Sequence, residues 1–328
     1  MSYFLNRTKW MVYLIGITQL LISCNNADKQ KTSKPNILLI ISEDNSQDLG
    51  CYGNDIVHTP NLDRLAENGI RFANAYTTYS VCSPSRSSIF TGFYPHQNGQ
   101  LGWATLHYSM YEGIKVLPQY LKGSGYNTGI LGKIHVKPSD IFSFDYSDIP
   151  GSNFKKENLS LYAQKAKELV QKSKTEDKPY MLMVNFPDAH LPFQNDVEGL
   201  PTVKVDTSRI TSSLPFVGVN TPRLRKVTEA YYNCMNRLDE SVGMLLDSIG
   251  DLSNTCIIYL SDHGAQFSRG KMTNYEGGLK IPFIVHWPDK ITDRGIVKDE
   301  LISVIDILPT ILEITGSEVP ESLPGMSL

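Results

Sequence analysis

Three uninterrupted apolar runs constrain this chain more than any other feature: Asn36–Ser42 (NILLIIS), residues 180–186 (YMLMVNF) and residues 255–260 (TCIIYL). A strand with one face in water alternates apolar and polar side chains, whereas a run without alternation has both faces covered. Helical signals separate the three runs. Thr59-Pro60 opens one helix, with Thr59 as the cap, Pro60 in the first helical position and Gly69 just past the end. Others cover residues 116–122 and 159–174, run from Thr221-Pro222 towards Ile249, and cover 304–314, while 126–131 and Phe283–His286 read as further strands. Strands alternating with helices in this way imply an α/β fold, a mainly parallel sheet sandwiched by helices. No internal repeat is present.

Polar clusters fall just past the ends of these strands. Glu43-Asp44 follow the first, Lys133 and His135 the short one, Asp188 and His190 the second, and Asp262-His263 the third. In an open α/β sheet, ligands bind beyond the carboxyl ends of the strands, so four clusters at that edge converge on one site. Glu43, Asp44, Asp262 and His263 bring three carboxylates and an imidazole. That density suits a hard divalent cation such as Ca²⁺ or Mg²⁺ and would be strongly self-repelling without one. No CxxC or HExxH spacing points to zinc. In Cys82-Ser83-Pro84-Ser85-Arg86, Pro84 can start a helix and leave Cys82 at or near its N-terminus. There the helix dipole favours negative charge and Arg86 adds a cation one turn on. An activated thiol or an anion site suits that setting, and a buried structural cysteine is the alternative.

The C-S-P-S-R stretch, followed by Thr91-Gly92, resembles the signature of the formylglycine-dependent sulfatases, enzymes of the alkaline-phosphatase-like superfold. The resemblance continues in family order. It takes in 37–44, Thr59-Pro60-Asn61-Leu62-Asp63, Gly132-Lys133-Ile134-His135, Asp188-Ala189-His190, Ser261-Asp262-His263-Gly264, and Gly270-Lys271 leading to Tyr275-Glu276-Gly277-Gly278. It implies that Cys82 is oxidised by a sulfatase-maturing enzyme to formylglycine, whose hydrate attacks sulfur and then regenerates the aldehyde. It further implies one Ca²⁺ held by Glu43, Asp44, Cys82, Asp262 and His263, neutralising the sulfate oxygens. Arg86 would hold formylglycine, Lys133 and Lys271 would clamp sulfate, His135 would move the proton of the diol, and His190 would protonate the leaving group. The chain departs from the common pattern in having Glu43 where relatives usually carry Asp, and His263 where many carry Asn.

Pro95-His96-Gln97-Asn98-Gly99 and the stretch from Gly132 to Pro138 look most like the heparan N-sulfatase (sulfamidase) branch. That branch implies an N-sulfated glucosamine at a glycan end, with an O-sulfatase of another sulfated polysaccharide as the alternative. His96 could touch the sugar or be a loop histidine. Two rivals stand beside this reading. One is a phosphodiesterase or phosphonate hydrolase of the same superfold, which would more often use Thr or Ser with two zinc ions. The other is an inactive, glycan-binding lipoprotein on a decayed scaffold. Relatives continue past a Gly-x-Ser-Leu stretch, here Gly325-Met326-Ser327-Leu328, into a smaller antiparallel subdomain. Its absence from residues 35–328 is expected to leave apolar surface uncovered and the chain poorly soluble.

Composition bounds the rest. With 41% hydrophobic and 20% charged residues the chain is not disordered as a whole, and a net charge of −3 gives no footprint for nucleic acid. Five cysteines in 328 residues are no disulfide framework, and Cys51, Cys234 and Cys256 are expected to stay as thiols. Arg7 and Lys9 precede an apolar run over 10–22, shorter than the roughly 20 apolar residues a span needs, so residues 1–23 read as a secretory signal. Leu21-Ile22-Ser23-Cys24 resembles a lipobox. It implies a lipid on Cys24 and an exported, membrane-anchored lipoprotein at the periplasm or cell surface, with residues 24–34 as a polar tether.

Overall fold

The three apolar runs become neighbouring strands at the centre of one sheet. The computed structural model describes residues 34–149, 151 and 153–328. The leader expected over 1–23, Cys24 and the tether as far as residue 33 lie outside the described residues. The strands are β1 (Asn36–Ser42), β2 (Ile70–Tyr76), β3 (Asn127–Gly132), β4 (Tyr146–Asp148), β5 (Tyr180–Asn185), β6 (Thr255–Ser261), β7 (Phe283–His286) and β8 (Ile296–Ser303). They line up as β4-β3-β5-β1-β6-β7-β2-β8. Only β7 runs against the others among the described strands, pairing antiparallel with both β6 and β2. The longer helices are α1 (Pro60–Glu67), α2 (Cys82–Thr91), α3 (Ser160–Thr175), α4 (Pro222–Ile249) and α5 (Ile307–Thr315). None is long and apolar enough to cross a membrane.

Successive side chains of β1 feed opposite cores, which is why its sequence does not alternate. Leu38 and Ile40 pack with Leu169 of α3 and Leu238 and Val242 of α4. Ile37, Leu39 and Ile41 pack with Ile89 and Phe90 of α2 and Leu308 and Ile311 of α5. Each of these five β1 side chains is fully buried, worth about 1.5–3 kcal/mol apiece before the cost of ordering the chain.

One helix cap and three strands differ from the sequence reading. Thr59 occupies the cap position of α1, but its hydroxyl accepts from Gly50 N–H and donates to Asp63 instead. The free N–H groups of Asn61 and Leu62 are taken by the Asp239 carboxylate, reaching across from α4. β2, β4 and β8 do not emerge from the sequence reading. β8 is an edge strand with Val297 and Leu301 exposed, so neither alternation nor a full apolar run marks it. The four described cysteines are unbridged thiols.

Candidate active site

β3, β5, β1 and β6 are adjacent and parallel, so their carboxyl ends share one edge, and each delivers a polar cluster there. Glu43 and Asp44 follow β1 directly. Asp44 turns into the left-handed region at φ 51°, a conformation an Asp tolerates better than most residues. At the end of β3, Gly132 has φ 84°, and a Cβ there would come within 2.5 Å of the Asn185 carbonyl oxygen. Glycine thus lets β3 lie close against β5 while the chain turns Lys133 into the site.

Cys82 is the first residue of α2 and is 1% exposed. Its Sγ lies 3.2 Å from Nε2 of His263 and 3.9 Å from Oδ1 of Asp44. Donor atoms of Asp44, Cys82, Asp262 and His263 lie within 4.8 Å of one another, all buried, and make the one such cluster among the described residues. Two buried carboxylates converging with a third polar donor fit a hard cation, and replacing thiol by oxygen at position 82 would harden the set further. Glu43, grouped with these ligands from the sequence, lies outside the cluster. Its Oε1 is held by Lys133 Nζ and, at 3.1 Å, by Arg86, while its Oε2 has no hydrogen-bond partner. Its carboxylate is engaged instead by the two cations.

Arg86, fully buried, ties the strand ends together. Nε donates to Asp262 at 3.0 Å, one terminal nitrogen donates to Asn185 Oδ1 and the Lys133 carbonyl, and the other to Glu43. Ser85, one residue earlier, donates to the Asp262 carbonyl at 2.5 Å. Lys271 donates to Asp44 Oδ2 at 2.7 Å, and each site lysine has N–H donors left over for an anion. Burial acts against charging the His263 ring, but Asp262, Asp44 and Cys82 outweigh it and push its pKa up to about 9. Burial likewise opposes ionisation of Asp262, yet the His263, Arg86 and Lys133 charges hold it well below the usual carboxylate range.

The two remaining histidines differ. His190 Nε2 lies 3.9 Å from Asp44 Oδ2, its Nδ1 meets the Leu191 carbonyl at 2.7 Å, and its ring packs 4.5 Å from that of Phe154. His135, at φ 55°, has its pKa lowered to about 3, first by burial and then by Lys133 and Arg86. His135 is therefore neutral at ordinary pH. Below the free-histidine value the unfolded chain takes up a proton that the folded chain refuses, so this group withdraws stability as pH falls from about 6.5 towards 3. Its NMR ring-proton shift is therefore expected to stay flat from pH 8 to 5; a midpoint near 6.5 would contradict the burial argument.

The sequence reading missed the network under His190. Arg237 of α4, fully buried, grips Asp188 with two hydrogen bonds of 2.8 Å, and the buried Lys156 ammonium donates to the carbonyls of His190 and Pro192 at 2.7 Å each. Asn185 was missed as well. His96 is exposed and stacks on Tyr94, with no contact to this cluster.

Comparison with known proteins bears on the family and the fold. The human N-sulphoglucosamine sulphohydrolase is 32% identical over 307 residues, covering 85% of this chain and 60% of the relative. An ulvan-active sulfatase of Formosa agariphila is 32% identical over 313 residues, covering 90% and 57%. The chain thus spans less than two thirds of the length of both. A crystal structure described as a sulfatase from Bacteroides fragilis superposes with a TM-score of 0.80 at 25% identity, covering 93% of this chain and 79% of the other. The sulfatase family model matches residues 35–317, nearly the whole described chain, and the chain belongs to the sulfatase family.

Proposed function

We propose that this protein removes sulfate from a sulfated glycan, with the N-sulfate of a terminal glucosamine as the preferred group. The observation that carries the reading is the buried cluster of Cys82 with Asp44, Asp262 and His263, bordered by Lys271 and His190 at Asp44. Asp44, Asp262 and His263 would hold one Ca²⁺, which when bound offsets the negative charge of the sulfate oxygens. Cys82, oxidised to formylglycine by a maturing enzyme, would supply the attacking hydroxyl. Arg86 fixes the first turn of α2 against β6 and β1. Lys133 and Lys271 orient the sulfate, His135 stands to relay the proton of the diol, and His190 donates one to the departing nitrogen or oxygen. Cys24 would carry a lipid and keep the exported protein on a membrane surface.

The N-sulfate preference rests on the 32% identity to the human sulphohydrolase. A second reading, an O-sulfate on a glycan of the kind the ulvan-active relative is named for, draws on an equal identity. Full-length protein coproduced with a sulfatase-maturing enzyme should release sulfate from N-sulfoglucosamine faster than from its O-sulfated isomer. The activity should vanish in EDTA and return with Ca²⁺. Faster turnover of a phosphate ester than of its sulfate twin would overturn the assignment.

A further inference from the structure

We propose that the cavity beside His190 is a subsite for a second anionic group of the substrate glycan, held by Arg223 and Lys226. The proposal rests on the glycan-desulfating reading above and extends it to a polyanionic chain.

Position gives the first argument. A cavity of about 580 Å³ opens between Leu191, Pro192 and Phe193, which directly follow His190, and Arg223, Lys226 and other residues at the start of α4. That size lies within the range of small-molecule sites. His190 protonates the leaving group, so the sugar that departs lies on its side of the reacting sulfur. A glycan continuing from that sugar has this cavity next to it. The wall is also preformed. Lys156 holds the His190 and Pro192 carbonyls, and the Phe193 ring stacks on Phe267 at 5.6 Å.

Charge gives the second. Arg223 and Lys226 are exposed and have no carboxylate partner among the described residues, although the protein as a whole is acidic. Some surface cations are neutralised, as Lys165 is by Asp148 and Glu168, Lys204 by Asp196 and Arg209 by Asp55; among the described residues Arg223 and Lys226 are not, and both line the one cavity. The intervening Arg225 is tied to Asn220. Arg223, in the first turn, opposes the helix dipole, so it is not there to stabilise α4. Two free cations on the rim of an otherwise apolar cavity complement a carboxylate or sulfate on a sugar, whose C–H faces pack on Leu191 and Phe193.

The test uses the full chain and an R223S/K226S variant. With matured protein, the ratio of kcat/KM for a heparin-derived tetrasaccharide to that for a singly sulfated aryl ester should fall about 10- to 30-fold in the variant, through KM. R223K/K226R should keep the wild-type ratio. Calorimetry on unmatured protein, which keeps the Cys82 thiol, reads the subsite without any turnover. There the wild type should bind the tetrasaccharide about tenfold more tightly than R223S/K226S, and the difference should shrink at high salt. Equal binding by the two proteins, or none by the wild type, overturns the subsite whether or not sulfate is released. Failure of turnover with the binding difference intact overturns only the hydrolytic reading.

Discussion

A Cys82→Ala protein is expected to release sulfate about 10,000-fold more slowly than matured wild type, or worse, while melting as a folded unit. On the proposed function Cys82 supplies the covalent nucleophile, so its loss takes away the step that divides a hard reaction into two easier ones, and no neighbour replaces it. His263, 3.2 Å away, is drawn towards protonation by the surrounding acids, and both lysines are ammonium donors. The fold should survive. The thiol fills little volume, and α2 stays pinned through Arg86 and Ser85, which bond to Asp262 independently of position 82. Sulfate release measured by ion chromatography, with thermal melts as the control, decides the matter. A variant within tenfold of wild type would remove Cys82 from the chemistry.

The second large effect is on stability. Arg237→Met should lower the unfolding free energy by about 3–5 kcal/mol in urea titrations, because it leaves the Asp188 carboxylate buried without its main partner. The two side chains are 0% and 2% exposed, and Lys156, 4.0 Å from the same carboxylate, offsets only part of the loss. Adding Asp188→Asn to Arg237→Met should recover a good share, since a neutral amide no longer needs the guanidinium. Arg237 is also a positioning residue for His190, two residues beyond Asp188. The single variant should therefore lose more kcat on substrates with poor leaving groups than on activated aryl sulfates, which depart without much help from an acid. A uniform loss across leaving groups would mean that Arg237 matters for folding alone.

How much could be seen in advance depended on where each residue sits. β1, β5 and β6 were legible because burial on both faces forces an unbroken apolar run. β2 and β8 were not. Their burial is mixed, and the Lys298-Asp299-Glu300 stretch of β8 reads as loop until its pairing with β2 is known. The polar residues past the strand ends were legible too, since carboxylates and histidines at one sheet edge have few structural uses, and the C-S-P-S-R resemblance gave them roles. Asn185 and Arg237 escaped because they lie inside elements that read as core. Their signal was present all the same: Asn233, Asn236, Arg237 and Asp239 put polar groups on the buried face of α4, where an amphipathic helix should carry none. Glu43 shows the opposite limit. Residue type and position placed it with the cation ligands, whereas in three dimensions its carboxylate pairs with Lys133 and Arg86.

The order in which the site is sealed has a consequence in time. Cys82 is almost wholly enclosed, yet what encloses it comes from far along the chain: Asp262, His263 and the strand before them. Ribosomes add about 5–20 residues per second, so some 10–40 s pass between the appearance of residue 82 and of residue 262. Throughout that interval β1 lacks its β6 partner and the cysteine is in open chain, within reach of any enzyme that oxidises it. Once β6 docks, the thiol is shut away. On the proposed function, maturation of Cys82 would be a race against folding, and a host that speeds the second without supplying the first would accumulate well-folded, inert protein.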